Sequence, residues 1–263
     1  MVKDCFCFND LFCLMKRNIP NIITCCNLIC GCIATYAAFH HGHGVAFLFI
    51  LLGAFFDFFD GMVARMLGVS GKFGIELDSL ADDITFGLAP SAMIFTLFNH
   101  VPYPSFMGNS FFFYVMPFTA FLMAAFSAMR LAKFNLDERQ HLGFIGMPTP
   151  ANAIFWGGLI SSSEAWLTSY HFNALFLFLF MMLSCWLLVC EIPMFALKFK
   201  NFSWKDNKIK YIFAVLVVAI LVCAAIYGAG QGRVWQMVSR GMSLCIGLYV
   251  IMSIVACYLP SED

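Results

Sequence analysis

Long apolar runs, each close to twenty residues and separated by short polar clusters, set the pattern of this chain. About 20 apolar residues are needed to cross the hydrocarbon core of a bilayer as a helix. Runs at roughly 19–39, 45–66, 74–98, 110–131, 148–167, 172–197, 209–228 and 238–259 therefore predict eight transmembrane helices. The breaks read as turns and loops: His40, His41, Gly42, His43 and Gly44; a stretch near 99–109 with Pro102 and Pro104; a polar connection over 133–147; and a basic loop over 201–208. Residues 5–15, with Phe6, Phe8, Leu11, Phe12 and Leu14, suit a short piece lying on the membrane surface. The expected fold class is all-α, a polytopic integral membrane helical bundle. It divides into an N-terminal segment (1–18), a six-helix core (19–197) and a basic loop with two additional helices (198–263).

Composition agrees: 62% of residues are hydrophobic and 11% charged, against roughly half and a quarter in soluble domains. Lys+Arg and Asp+Glu both number 15, which gives no reason to expect a nucleic-acid partner. Under the eight-helix reading, thirteen of the cations, from Lys3 to Lys210, fall on one side and only Arg233 and Arg240 on the other. That bias puts both termini and the 57–83 stretch toward the cytoplasm. The 12 Cys are mostly scattered through apolar runs as small hydrophobes, and Cys5, Cys7 and Cys13 lack a partner motif for a metal. The three turn histidines have no acid or Cys beside them and read as a polar loop. No cleavable signal peptide is expected.

One stretch carries chemistry. DFFDGMVARMLGVSGKFGIELDSLADD, residues 57–83, holds Asp57, Asp60, Asp78 and Asp82 between strongly apolar flanks. Acidic residues at membrane depth are costly and mark function by default. Asp57 and Asp60 stand three apart, Asp78 and Asp82 four apart, so each pair shares a helical face. Gly68, Ser70, Gly71 and Lys72 supply a turn between them. Packed antiparallel, the two helices aim four carboxylates at one volume. Carboxylates that close repel one another, and hard divalent cations such as Mg²⁺ or Mn²⁺ are the natural counter-charge. Two such ions can clamp a displacement at phosphorus. Acids that serve only salt bridges are the bland alternative, but nearby cations are too few to pair four of them.

The same stretch resembles the signature of the CDP-alcohol phosphatidyltransferases, Asp-x2-Asp-Gly-x2-Ala-Arg-x8-Gly-x3-Asp-x3-Asp. All fixed positions are met, by Asp57, Asp60, Gly61, Ala64, Arg65, Gly74, Asp78 and Asp82. The resemblance implies transfer of a phosphatidyl group from CDP-diacylglycerol to an alcohol with release of CMP. It implies Mg²⁺ or Mn²⁺, as two ions, held by Asp57, Asp60, Asp78 and Asp82, with Asp82 also the general base. Asn21, Thr24, Asp60, Gly61, Ala64, Arg65 and Gly74 then contact the cytidine diphosphate, Gly74 also letting helices two and three approach. Glu76 and Asp83, off the spacing, are expected at the rim.

A second constellation, Ser127, Arg130 and Lys133, repeats every three residues along helix four and offers an anion pocket or a set of snorkelling cations. Its text SAMRLAKFN resembles the phosphatidylserine synthase branch of the family, with Met129 and Lys133 as departures. FIGMPTPANA (144–153) and the amino-terminal Pro20-Asn21-Ile22-Ile23-Thr24 with Asn27 resemble that branch too. Pro148 and Pro150 favour a rigid entry into helix five. L-serine is then the implied acceptor, with Ser127, Arg130, Lys133 and Pro148 forming its pocket or that of a lipid phosphate. Another acceptor (glycerol 3-phosphate, an inositol compound or choline) and a divalent-cation transporter are the competing readings. A transporter would often show inverted halves, and no second half is visible. The resemblance implies a homodimer among membrane lipids, and the compact chain suggests a bacterial inner membrane.

Overall fold

The computed structural model describes residues 3–69, 71–104, 110–137, 144–194 and 204–258. The chain is almost entirely helical. The helices are α1 (Lys3–Phe39), α2 (His43–Leu67), α3 (Lys72–Asp82), α4 (Ala89–Phe98), α5 (Ser110–Val115), α6 (Leu122–Leu136), α7 (Thr149–Leu167), α8 (Asn173–Val189), α9 (Trp204–Gln231) and α10 (Val234–Tyr258). A π-helical turn, Asp83–Leu88, joins α3 to α4 without a break, and a 3-10 turn, Pro117–Phe121, leads into α6. Two short strands, β1 (Phe144–Ile145) and β2 (Pro193–Met194), pair antiparallel.

The α3–α4 rod is the centre of the bundle. Nearly all of α4 is buried, from Ala89 to Phe98 except Phe95. Ala34, Ala37 and Ala38 of α1 and Ala46 of α2 are buried in the same core, and small residues of this kind let helix backbones approach closely. Trp156 and Ile160 of α7 and Leu177 and Met181 of α8 close the other side. The α9 span is only 11% buried, so its apolar side chains face outward. That is what a bilayer-facing helix requires.

The protein is an all-α integral membrane bundle, but the expected count of eight spans is corrected. Among the described residues, six helices are long and apolar enough to cross: Asn18–Phe39, His43–Leu67, Lys72–Phe98, Phe113–Leu136, Asn207–Gln231 and Val234–Cys257. The two that fall away have physical reasons. α8 is 17 residues, about 25 Å at 1.5 Å per residue, against roughly 30 Å of hydrocarbon. α7 carries Asn152, Ser161, Ser162, Ser163 and Glu164, and its polar groups are used inside the bundle: Trp156 Nε1 donates to Ser184 Oγ at 3.0 Å, and Ser184 Oγ donates to Asn152 Oδ1.

Other boundaries shift as well. The separate surface piece at 5–15 is the first part of one continuous α1, with Pro20 inside it. Helix six stops at Val189 rather than 197, because the chain turns at Cys190 into β2. Lys133–Leu136 of the expected polar connection is the last turn of α6, and Trp204–Lys208 of the basic loop is the start of α9. Residues 138–143, with Arg139, and 201–203 of those two segments lie outside the described residues, as do Lys198, Lys200 and residues 105–109 of the stretch near 99–109.

Gly146 explains why 144–153 is rigid. Its φ is +75°, and a Cβ there would lie 2.8 Å from Leu188 O and 2.9 Å from Cys190 O. Its N–H donates to Ile192 O at 2.9 Å, and the Met147 N–H donates to Leu187 O at 2.8 Å. The segment thus satisfies a carbonyl that the end of α8 would otherwise leave open, and Pro148 starts α7 from an extended backbone.

Candidate active site

Helical spacing does bring the acids together. Asp57 and Asp60 lie on α2, Asp78 and Asp82 on α3, and Gly68 closes α2 in the left-handed region at φ 64° so that α3 can fold back. Asp57, Asp60 and Asp78 each present a carboxylate oxygen within 4.8 Å of the others. Asp57 is also within hydrogen-bond reach of Asp82. Among the described residues no lysine or arginine makes an ion pair with these acids. An all-oxygen set of carboxylates this close, with no lysine or arginine ion-paired to it among the described residues, suits a hard divalent cation.

α1 supplies the groups that hold the acids in place. Thr24 Oγ1 donates to Asp60 Oδ2 at 2.7 Å, and Asp60 is 5% exposed. Asn27 Nδ2 donates to Asp82 Oδ1 at 3.0 Å. Asn27 is itself fixed, because Thr85 of the π turn donates its hydroxyl to Asn27 O at 3.0 Å. Asn27 continues the three-residue spacing of Asn21 and Thr24. Sequence reasoning sees it as a motif position but gives it no role, since its partner stands 55 residues away.

Beside the acids opens a cavity of about 330 Å³ lined by Pro20, Asn21, Thr24, Asp60, Gly61, Ala64, Val69, Gly71, Lys72, Phe73, Gly74, Ile75 and Asp78. Six of the seven residues expected to contact the nucleotide are in that lining. The seventh, Arg65, folds its guanidinium back along α2, with Nη1 3.4 Å from where a Gly61 Cβ would be. Gly74 is corrected in one respect. The nearest atom to its missing Cβ is Asn21 Oδ1 at 3.4 Å, so it opens α3 toward α1 rather than toward α2.

The second constellation splits. Ser127 is fully buried and Arg130 is 7% exposed, with its guanidinium carbon 5.1 Å from the Phe134 ring. Lys133 turns away to the surface, where Nζ is 3.3 Å from Glu191 Oε1. Pro148 precedes α7 and lines no part of the cavity described above. Asp83 faces Ser127 across Gly87, and Glu76 is exposed. The three turn histidines lie at the opposite end of α2: His43 is buried, with Nε2 2.9 Å from Thr96 Oγ1 and Nδ1 3.0 Å from Glu164 Oε2.

The acids, the cavity and the Gly61–Arg65 turn occur together within residues 17–197, which match the CDP-alcohol phosphatidyltransferase family. The chain belongs to that family. It is 40% identical over 136 residues to the CDP-diacylglycerol–serine O-phosphatidyltransferase of Bacillus subtilis, covering 50% of this chain and 69% of the relative. The protein of the same name in Helicobacter pylori is 31% identical over 242 residues, 90% of this chain and 89% of the relative. That of Methanocaldococcus jannaschii is 31% identical over 197 residues, 68% and 87%. The family match ends before α9 and α10, yet α10 is not detached. Ser243 Oγ donates to Phe155 O of α7 at 2.8 Å, and Tyr249 is buried with Met147 and Met194.

Proposed function

We propose that the protein transfers the phosphatidyl group of CDP-diacylglycerol to the hydroxyl of L-serine, giving phosphatidylserine and CMP. The observation that carries this reading is the cluster of Asp57, Asp60 and Asp78, of which Asp60 and Asp78 line a cavity together with the other expected nucleotide contacts Asn21, Thr24, Gly61, Ala64 and Gly74. Its volume, about 330 Å³, is within the usual range for small-molecule sites of ~300–1,000 Å³. Serine as acceptor draws support from the named relatives. It also draws support from Lys133: turned outward to Glu191, that cation is withheld from an acceptor bearing a phosphate.

Each residue has a part in the proposed chemistry. Asp57, Asp60 and Asp78, with Asp82 adjoining, would hold Mg²⁺ or Mn²⁺ as two ions. When bound, such ions neutralise phosphate oxygens and stabilise charge on the departing oxygen. Asn21, Gly61, Ala64 and Gly74 shape the space for the cytidine diphosphate, and Arg65 offers its planar donor fork to a phosphate. Thr24 orients Asp60. Asp82, aligned by Asn27, takes the proton of the serine hydroxyl. The serine oxygen forms its bond to the phosphatidyl phosphorus while the bond to the CMP oxygen breaks, and CMP leaves with that electron pair. Ser127 and Arg130 face the acceptor. We place the acidic end toward the cytoplasm of a bacterial inner membrane, supported by the bias of lysine and arginine positions, and take the homodimer from the family resemblance.

The test is CMP release by purified protein given CDP-diacylglycerol and Mn²⁺ or Mg²⁺, with L-serine set against glycerol 3-phosphate, inositol and choline. Release and lipid labelling only with L-serine is the expected result. Turnover with another alcohol alone would refute serine as the acceptor while leaving the aspartate site in place.

A further inference from the structure

Thr85, the third residue of the π turn, lines no part of the nucleotide cavity, yet it is fully buried where α1, α2 and the α3–α4 rod meet. Each of its branches faces a different helix. Oγ1 donates to Asn27 O of α1 at 3.0 Å, and a Cβ added to Gly31 would run into that hydroxyl and stand 2.8 Å from Thr85 Cα. Cγ2 lies 2.5 Å from where a Gly53 Cβ would be on α2. Carbon atoms rest about 3.5–4.0 Å apart, so glycine at both positions leaves the notch that Thr85 fills. The hydroxyl is used in an uncommon way. Thr35 and Thr96 each donate to a carbonyl four residues earlier in their own helix, the ordinary choice inside a helix. Thr85 instead crosses to a helix 58 residues away in the chain. Asn27 thereby grips the rod at two points: its carbonyl holds Thr85, and its side-chain amide holds Asp82 at 3.0 Å. A single bond would let the rod turn about α1, whereas two bonds to one residue fix both its rotation and its height.

We infer that Thr85 is a positioning residue for the reaction, acting through Asn27 to aim the Asp82 carboxylate, an assignment that rests on the reading of Asp82 as the group that takes the hydroxyl proton. The two branches have separate duties. The methyl fills the notch at Gly53 and serves packing. The hydroxyl sets the π turn against α1, and with it the direction of Asp82. A displacement of about 1 Å at a reacting group can cost ~100-fold in rate, so a clamp of this kind acts on the chemical step. Thr85 lies outside the cavity lining and outside the Asp57–Asp60–Asp78 set, so its loss should spare substrate and metal binding. A carbonyl oxygen has two lone pairs, and Asn27 lies inside α1, so removing the Thr85 hydroxyl leaves the bond of that helix in place.

The experiment separates the two branches. Thr85→Val keeps the branched shape and removes the hydroxyl; Thr85→Ser keeps the hydroxyl and removes the methyl. Thr85→Val should lower kcat for CMP release at least about tenfold, with the KM for L-serine and for CDP-diacylglycerol within about twofold. Its Mn²⁺ affinity, read by electron paramagnetic resonance without substrate, should stay within about threefold. Thr85→Ser should melt below wild type yet keep kcat within about threefold. In an Asn27→Ala background, Thr85→Val should cost no more than about twofold further in kcat, because the hydroxyl then has no amide to aim. Thr85→Ala leaves the notch open and carries the same expectation for kcat as valine, so a valine that does not fit cannot conceal the result. Thr85→Val with kcat within about threefold of wild type overturns the assignment. So does a Thr85→Ser protein as slow as Thr85→Val, or a Mn²⁺ affinity that falls as far as kcat. Asp82→Asn is measured beside them: turnover within about tenfold of wild type refutes the base reading itself. An inactive Asp82→Asn beside an unimpaired Thr85→Val refutes only the role of Thr85.

Discussion

Replacing Gly53 by alanine should damage the site from a position that lines no part of the cavity. Gly53 is buried on α2, and a Cβ there would lie 2.5 Å from Thr85 Cγ2, 2.9 Å from Asn27 Oδ1 and 3.6 Å from Cys30 Cβ. Carbon atoms rest about 3.5–4.0 Å apart, so roughly 1 Å must open between α2 and the π turn. Neither neighbour yields easily. Thr85 is β-branched and fully buried, and its hydroxyl is bonded to Asn27 O. Two effects oppose each other. Alanine in a helix gains about 0.5–1 kcal/mol over glycine, while overpacking costs about 1–3 kcal/mol, so the balance falls on the side of destabilisation. Function should suffer more than stability. Asn27 aligns Asp82, and a displacement of about 1 Å at a reacting group can cost ~100-fold in rate. The assay is kcat for CMP release beside thermal unfolding, with Gly247→Ala as control, because nothing lies within 4 Å of a Cβ at Gly247 on α10. The control should be neutral or slightly stabilised. A Gly53→Ala protein that melts as high as wild type, with kcat within about twofold, would refute the reasoning.

Four further outcomes are expected. Thr24→Val removes the 2.7 Å bond to Asp60 and should weaken Mn²⁺ binding about tenfold, as loss of a group that orients a metal ligand commonly does; electron paramagnetic resonance titration of free Mn²⁺ reads it. Exhaustive chelation should abolish CMP release and added Mn²⁺ or Mg²⁺ restore it, and activity that survives chelation would count against the Asp57–Asp60–Asp78 site. Lys133→Ala breaks a largely exposed pair with Glu191, so stability and the KM for L-serine should barely move. His43→Ala removes two buried contacts, to Thr96 and Glu164, and should cost about 2–4 kcal/mol of stability. It should leave the KM for CDP-diacylglycerol unchanged, since the histidine stands about 25 Å along α2 from Asp60.

What the sequence alone determined is local. Apolar runs of spanning length fixed an all-α membrane bundle, and the i,i+3 and i,i+4 spacings of Asp57, Asp60, Asp78 and Asp82 around a glycine-rich turn fixed the acidic cluster. A helix that forms at all must place such residues on one face, whatever packs against it. The tertiary structure decided the rest, because the rotation of each helix and its choice of neighbour come from packing across the whole bundle. It set Asn27 on Asp82 and Gly74 against α1. It kept Arg130 inside while letting Lys133, three residues on, reach the surface, a divergence that regular spacing does not show. It turned Asp83 toward Ser127 at the π turn, where the extra residue of a π turn shifts the helical phase. It also reduced eight apolar runs to six helices that meet the demands of a span. Hydropathy counts residues, whereas a span needs continuous helix of sufficient length and apolar surface, and α7 and α8 turn theirs to polar bonds inside the bundle and to the β2 corner.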